Sequence, residues 1–273
     1  MIMTHIRTSL ILAAGLLLTA CGSATYVTSG SRVLIDSRYD AHPDSAAAAF
    51  IAPYKARVDS IMNPIVGYAA TDMSCHQPES SQSNLYTDIL VWSSSKFNEH
   101  PDFGVYNVGG IRAALSKGAV TVGDILDTAP FENKICFLTL SGDKVLELFQ
   151  QITGQGGQGL SHSVRLVMDK HGRLLSAKIN GRDVDPKASY RIVTLDYIAQ
   201  GNDKMEAFKA KTAVVSPQSE ENNVRYLIMD YFRTMMKEGR KVESKVEGRI
   251  TVAPRQPDSN ELICPIYQQR IYP

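Results

Sequence analysis

The chain of 273 residues lacks the features that would assign it to several large classes of protein. Its 12 Pro and 19 Gly are too few for a collagen-like chain, and its 44% of hydrophobic residues does not suit a disordered one. Its 29 Lys and Arg nearly balance 28 Asp and Glu, so no basic excess indicates a nucleic-acid polymer as partner. The longest apolar run, over 10–18, is well short of the roughly 20 residues that a membrane-spanning helix needs.

The N-terminus has the pattern of an export signal, in which basic side chains precede a short apolar run and small residues. The motif Leu18-Thr19-Ala20-Cys21 resembles the bacterial lipobox, whose Cys is acylated after cleavage on its amino side. A plain secretory signal with a chance Cys is the alternative. We expect residues 1–20 to be a lipoprotein signal peptide and 21–32 a flexible tether. Lipid on Cys21 would then hold the protein to a membrane.

Three further cysteines follow Cys21 in the sequence. Cys136 lies in an apolar run, so it is expected to be a small buried hydrophobic residue. Cys75 and Cys264 could form a disulfide in an oxidising compartment, although their sequence positions give no geometry. Their pairing stays open at this point.

The rest of the chain alternates short strands with helices. Strands are predicted over 103–107, 134–140, 163–169 and 190–195, and helices over 81–95, near 122–127, over 142–152 and after Ser219. Asn180-Gly181 lies between two such runs, which indicates a hairpin turn. Antiparallel hairpins mixed with helices favour one α+β domain, with mixed sheets and packed helices, over 33–252. A tail with four Pro, 253–273, follows it.

The first candidate for a binding segment runs from Asn107 to Arg112 and contains Gly109-Gly110. The two glycines let the backbone come close to a ligand, and the Arg offers a forked donor that suits phosphate. By itself this segment is weak evidence, because a simple turn followed by a solvated Arg would have the same sequence.

A set of short motifs, which occur in a fixed order along the chain, supports a binding role for this segment. They are Glu79 with Asn84-Leu85 and Asp88, Asn107 to Arg112, Pro130-Phe131-Glu132-Asn133, Tyr190-Arg191 with Asp196-Tyr197, Gly201-Asn202-Asp203, and Val246-Glu247-Gly248-Arg249-Ile250. Together they resemble the C-terminal domain of the 5′-nucleotidase family over about residues 45–252. In that family this domain binds the nucleotide, and a separate N-terminal metallophosphoesterase domain holds two metal ions.

The resemblance implies a role for each matching position. Phe131 and Tyr197 would stack on the two faces of the base, since stacking on an aromatic ring tolerates any base. Asn107 would meet the base edge, Asp203 the ribose hydroxyls and Arg112 the phosphate. The substrate-binding residues implied are Asn107, Gly109, Gly110, Arg112, Phe131, Asn133, Tyr197 and Asp203. The alternative is that both rings are core aromatics and Asp203 caps a loop.

The chain departs from the family pattern at several positions. Gly201-Asn202-Asp203 replaces the usual Gly-Gly-Asp, and Tyr197 stands where Phe is usual. His76 stands at the position of a further family arginine, which implies weaker phosphate binding.

Metal ligands are scarce, because the chain has six His and no cluster typical of a two-metal phosphoesterase. Asp169-Lys170-His171 spells Asp-x-His, but it lies in a predicted turn. We therefore expect no catalytic residue, metal site or cofactor in this chain.

The expected function is a lipid-anchored nucleotide-binding or nucleoside-binding domain that works with a separately encoded metallophosphoesterase, which would hold the two divalent metal ions. The alternative is a stand-alone binding lipoprotein without turnover. The expected location is the cell envelope, on the outer membrane facing the periplasm.

Overall fold

The structure is a computed structural model that describes residues 29–41 and 43–254. The chain divides into two units, Met1–Pro53 and Tyr54–Pro273. The predicted signal peptide and the Cys21 attachment site lie outside the described residues, as does Cys264. The signal peptide and the lipid attachment therefore stay predictions, and the pairing of Cys75 with Cys264 stays open.

The described residues form six α-helices and eleven strands. The helices are α1 (Ser45–Met62), α2 (Ser81–Ser93), α3 (Val122–Thr128), α4 (Gly142–Gly154), α5 (Asp196–Ala199) and α6 (Val224–Lys237). The strands are β1 (Ile65–Ala69), β2 (Phe103–Tyr106), β3 (Gly118–Thr121), β4 (Ile135–Ser141), β5 (Gly159–Leu160), β6 (Val164–Met168), β7 (Leu174–Ile179), β8 (Arg182–Asp183), β9 (Ser189–Leu195), β10 (Thr212–Val215) and β11 (Ile250–Val252).

Three sheets, two of them with both parallel and antiparallel neighbours, organise the second unit. The largest has the order β10-β4-β9-β2-β5, in which β2 and β9 are parallel and the other neighbours antiparallel. A four-stranded sheet has the order β11-β6-β7-β8, with β11 parallel to β6. Strands β1 and β3 form an antiparallel pair. This arrangement confirms the predicted α+β class with mixed sheets and packed helices.

The centre of the largest sheet is apolar on both faces. Strands β4 and β9 pair from Ile135↔Leu195 to Ser141↔Ser189, and Phe137 and Val193 are fully buried. A strand that is covered on both sides needs such a continuous apolar run. Cys136 is buried in this run, as predicted.

Two helices show how the apolar periodicity fixes the packing. Helix α4 buries Val145, Leu148, Phe149 and Ile152, the stripe that the sequence predicts. Helix α6 likewise turns a stripe inward and is followed by Gly239, whose φ of +69° suits a helix C-terminus. The predicted hairpin is also present. Asn180 and Gly181 lie between β7 and β8, and both have positive φ, as this type of turn requires.

Within 29–41 and 43–254, no helix is both long enough and apolar enough to span a membrane.

Candidate functional site

Strand register brings three chain segments to one end of the largest sheet. Because β4 and β9 are antiparallel, the start of β4 at Ile135 lies beside the end of β9 at Leu195. Strand β2 runs parallel to β9, so its carboxyl end at Tyr106 points the same way. The segments that precede β4 and follow β2 and β9 therefore meet, although they are distant in sequence.

A cavity of about 230 Å³ opens where these segments meet. Its lining residues are Asn107, Gly109, Phe131, Asn133, Tyr197 and Asp203. We call it the aromatic cavity. All of these belong to the substrate-binding set that the sequence implies.

The other two residues of that set lie beside the aromatic cavity. Gly110 lines a narrower neighbouring cleft, which shares Phe131 and Asn133 with the cavity. Arg112 lines neither; its side chain is exposed and donates a hydrogen bond to the carbonyl of Gly109 at 3.2 Å. The structure thus places the cation next to the cavity rather than in its wall.

The two aromatic rings are surface groups. Phe131 is 49% exposed and Tyr197 is 40% exposed, although both line the cavity. The alternative that they are core aromatics does not hold. Two large apolar groups exposed around one concavity leave a surface that a flat apolar ligand can cover.

Asp203 joins two walls of the cavity. Its carboxylate accepts a hydrogen bond from Asn107 Nδ2 at 2.6 Å and another from the Tyr197 hydroxyl at 3.2 Å. Asn107 is only 4% exposed, so it forms the floor, and Tyr197 forms a side. The carboxylate is an acceptor for donors both from the protein and from the cavity.

The loop that carries Asp203 has an unusual backbone. Gly201, Asp203 and Lys204 all have positive φ, of 91°, 51° and 55°. Only glycine adopts this region freely, so local hydrogen bonds must hold the other residues there. Asn202 Nδ2 donates to the Tyr197 carbonyl at 2.8 Å, which ties the loop to helix α5.

The carboxylate changes the acidity of its tyrosine neighbour. The negative charge of Asp203, its hydrogen bond and slight burial together raise the pKa of the Tyr197 hydroxyl. At the ordinary pKa of tyrosine, more of the Tyr197 hydroxyl is therefore protonated, and able to donate, than in a free tyrosine.

Further residues hold the cavity walls together. Asp196 Oδ1 accepts from Lys134 N at 3.0 Å and from Tyr197 N at 2.8 Å, so it joins the segment after Phe131 to the segment with Tyr197. At the start of helix α6, Arg225 donates to the Pro130 carbonyl at 2.9 Å. The sequence marked Asp196 as part of a motif, but no local pattern indicated Arg225.

Five further motif residues form a separate polar group, the Arg249 cluster. Its members are Glu79, Asn84, Asp88, Glu247 and Arg249. Arg249 is 2% exposed and donates to both oxygens of Asp88, at 2.9 and 2.6 Å. Glu79 is also buried and accepts from Arg249 N and Glu247 N, at 2.7 and 2.8 Å. These contacts fasten the segment before β11 to helix α2, which is a structural role.

The described part of the chain contains no group of three or more His, Cys, Asp or Glu arranged to hold a metal ion. Asp169 and His171 have another use, because the Asp169 carboxylate accepts from the backbone N–H of His171 at 2.8 Å and of Arg173 at 2.9 Å. Those bonds, that of Arg173 foremost, lower the pKa of Asp169. The prediction of turn chemistry for this motif is confirmed.

A family model described as "5′-nucleotidase, C-terminal domain" matches residues 58–210, which include the whole lining of the aromatic cavity. The chain belongs to the 5′-nucleotidase C-terminal domain family. This membership confirms the resemblance that the motif order indicated.

Curated proteins are also similar to this 5′-nucleotidase C-terminal domain. "Trifunctional nucleotide phosphoesterase protein YfkN" of Bacillus subtilis is 27% identical over 235 residues, which are 79% of this chain and 16% of that protein. An "Apyrase" of Tabanus yao is 32% identical over 155 residues, 48% of this chain and 28% of that protein.

A solved structure shows the same fold. A 5′-nucleotidase precursor from Thermus thermophilus superposes with a TM-score of 0.67 at 25% identity, covering 80% of this chain and 45% of that one. The chain therefore spans less than half the length of each of these proteins.

Proposed function

We propose that the aromatic cavity binds a nucleoside or nucleotide, with the base between Phe131 and Tyr197. The observation that carries this proposal is the exposure of both rings, 49% and 40%, around one cavity with a carboxylate at its wall. Stacking contributes roughly 1 to 3 kcal/mol per base and is open to every base. Family membership supports the same class of ligand.

The polar groups of the cavity suit the remaining parts of such a ligand. The Asp203 carboxylate offers acceptors to sugar hydroxyls, and Asn107 and Asn133 offer amide groups to a base edge. Arg112 lies outside the lining but contacts Gly109, which lines the cavity. In this proposal it meets the phosphate at the rim, as a forked donor.

Calorimetric titration tests the binding directly. Adenosine, guanosine, cytidine and uridine, and their 5′-monophosphates, are titrated into the protein, and micromolar or tighter binding of at least one is expected. Phe131→Ala should weaken it about tenfold or more. Tyr68→Ala is the matched control, because Tyr68 is 38% exposed and does not line the cavity. The absence of measurable binding for all of these ligands would contradict the proposal.

The second part of the proposal concerns turnover. We place hydrolysis on a separately encoded metallophosphoesterase, whose two metal ions would activate the attacking water. This chain would hold the base, the sugar and the phosphate in position for the attack. Support for the substrate-holding part of this division comes from family membership, because the 5′-nucleotidase C-terminal domain model matches residues 58–210.

Phosphate release tests that division. The purified protein is mixed with a metallophosphoesterase encoded next to it, if there is one, and a nucleoside monophosphate is added. Release well above that of the partner alone is expected, and Phe131→Ala should reduce the gain. Equal rates with and without this chain would contradict this part of the proposal and favour the alternative, a binding protein without turnover.

The third part concerns location. We propose that Cys21 is lipid-modified and holds the domain in the cell envelope, on the outer membrane facing the periplasm, as its lipobox-like sequence indicates. Cys21→Ser is expected to move the protein from the membrane fraction to the soluble fraction. Retention of the variant in the membrane would contradict the anchor.

A further inference from the structure

The Asp203 carboxylate is held by two hydrogen bonds of unequal length. The bond from Asn107 Nδ2 measures 2.6 Å, whereas that from the Tyr197 hydroxyl measures 3.2 Å. Hydroxyl donors usually lie about 2.5 to 2.7 Å from a carboxylate oxygen. The tyrosine bond is thus long, and a better placed donor can replace it.

The two bonds also end on different oxygens. Asn107 occupies Oδ2 and Tyr197 occupies Oδ1. A carboxylate has about four acceptor sites, so each oxygen of Asp203 keeps room for a donor from a ligand. When a ligand supplies only one hydroxyl, the Tyr197 hydroxyl still covers Oδ1.

A phenylalanine at position 197 would change this balance. The ring would remain, but a ligand that lacks a hydroxyl would leave one oxygen of the carboxylate without a donor. A site that is built to pair with a ligand hydroxyl rejects analogues without it, because the unpaired polar group costs free energy. Asp203 is half-buried, so solvent reduces that cost without removing it.

We infer that the Tyr197 hydroxyl makes this site tolerant of sugars that lack a hydroxyl, so that 2′-deoxyribonucleosides bind nearly as well as ribonucleosides. The inference rests on the proposed nucleoside binding and extends its substrate class. It assigns to the hydroxyl a role in specificity, distinct from the stacking role of the ring.

Paired titrations test the inference. The wild type and Tyr197→Phe are each titrated with adenosine, guanosine, cytidine and uridine and with the 2′-deoxy form of each. For the wild type, the deoxy and ribo dissociation constants should agree within about threefold. In Tyr197→Phe the ratio of the deoxy to the ribo dissociation constant should rise to about tenfold.

A matched control tests whether removal of any tyrosine hydroxyl has the same effect on the ratio. The Tyr226 hydroxyl donates to Glu220 Oε1 at 3.1 Å, and Tyr226 does not line the aromatic cavity. Tyr226→Phe should therefore leave both dissociation constants unchanged. Circular dichroism and thermal unfolding establish that both variants fold.

The outcomes distinguish the inference from the function on which it rests. A wild-type ratio above about threefold, or a ratio that Tyr197→Phe does not change, overturns the inference while ribonucleoside binding stands. Binding of none of the eight nucleosides overturns the inference, and failure of the 5′-monophosphates to bind as well overturns the proposed function with it.

Discussion

The aromatic cavity and the Arg249 cluster use similar polar side chains in opposite surroundings. In the cavity, Asp203 faces solvent between an exposed tyrosine and a buried asparagine. In the cluster, Arg249 and Glu79 are almost fully buried, and their hydrogen bonds go to the protein. Motif matches mark both regions equally in the sequence. The difference in burial distinguishes the two regions: the exposed groups of the cavity can contact a ligand, whereas the buried groups of the cluster stabilise the fold.

The largest expected effect is on the stability that the cluster supplies. Arg249→Met should lower the free energy of unfolding by about 3 kcal/mol, because it leaves neighbouring carboxylates without their buried cation. Nucleoside affinity should hold within about twofold, since Arg249 lies outside the cavity lining. Chemical denaturation and calorimetry measure the two quantities. If the folded variant lost affinity but kept its stability, Arg249 would belong to the binding site and not to the structural cluster.

The cavity should show the opposite pattern. Phe131→Ala and Tyr197→Ala should each weaken nucleoside binding by about 1 to 3 kcal/mol, the contribution of one stacked ring. Their unfolding free energy should change by no more than about 0.5 kcal/mol, because both side chains are exposed. Titration and denaturation of the same samples provide the test. Strong destabilisation by either substitution would show that the ring belongs to the core.

A smaller effect is expected from acid at the edge of the cluster. Burial opposes ionisation of Glu247, but its bond from His162 and the charge of Arg249 outweigh it, so the pKa of Glu247 is lowered. A lowered carboxyl pKa stabilises the fold above the ordinary value near 4.5, and this stability is lost as the pH falls through the folded pKa.

Glu247→Gln should therefore flatten the decline of stability below about pH 4.5. Thermal unfolding between neutral and acidic pH measures that decline. Glu147→Gln is the control, because Glu147 pairs with Lys144 on the surface and lies outside the cluster. Equal acid sensitivity of wild type and Glu247→Gln would refute the assignment.

The smallest effect concerns the Tyr197 hydroxyl. Asp203 raises its pKa, so Asp203→Asn should bring that pKa back toward the ordinary value near 10. Ring-labelled NMR titration resolves individual tyrosines. Tyr226, whose pKa is raised by Glu220, should titrate identically in both proteins. No change at Tyr197 would mean that the two groups do not interact in solution.

The sequence predicted much of the fold because its signals are local. The apolar stripe of helix α4 and the Asn180-Gly181 turn each lie within a few residues, and both appear where expected. The residues that line the cavity were predicted from the family resemblance, and that resemblance rested on the order of the motifs. Local sequence patterns alone did not predict them.

The bonding within the site could not be predicted, because its partners are far apart. Asn107 and Asp203 are separated by 96 positions, and Glu79 and Arg249 by 170. Strand register and backbone φ bring such residues together, and neither is visible in local composition. For the same reason the contact of Arg225 with the Pro130 carbonyl, 95 positions away, had no signal in the sequence.

The central claim, that the two exposed rings hold a base, is tested most directly by calorimetry on one further variant. Ribonucleosides are titrated into the wild type and into Phe131→Ala/Tyr197→Ala, with Tyr68→Ala in parallel. We expect measurable binding by the wild type and by Tyr68→Ala and none by the folded double variant. Equal affinity of the double variant and the wild type would contradict the claim.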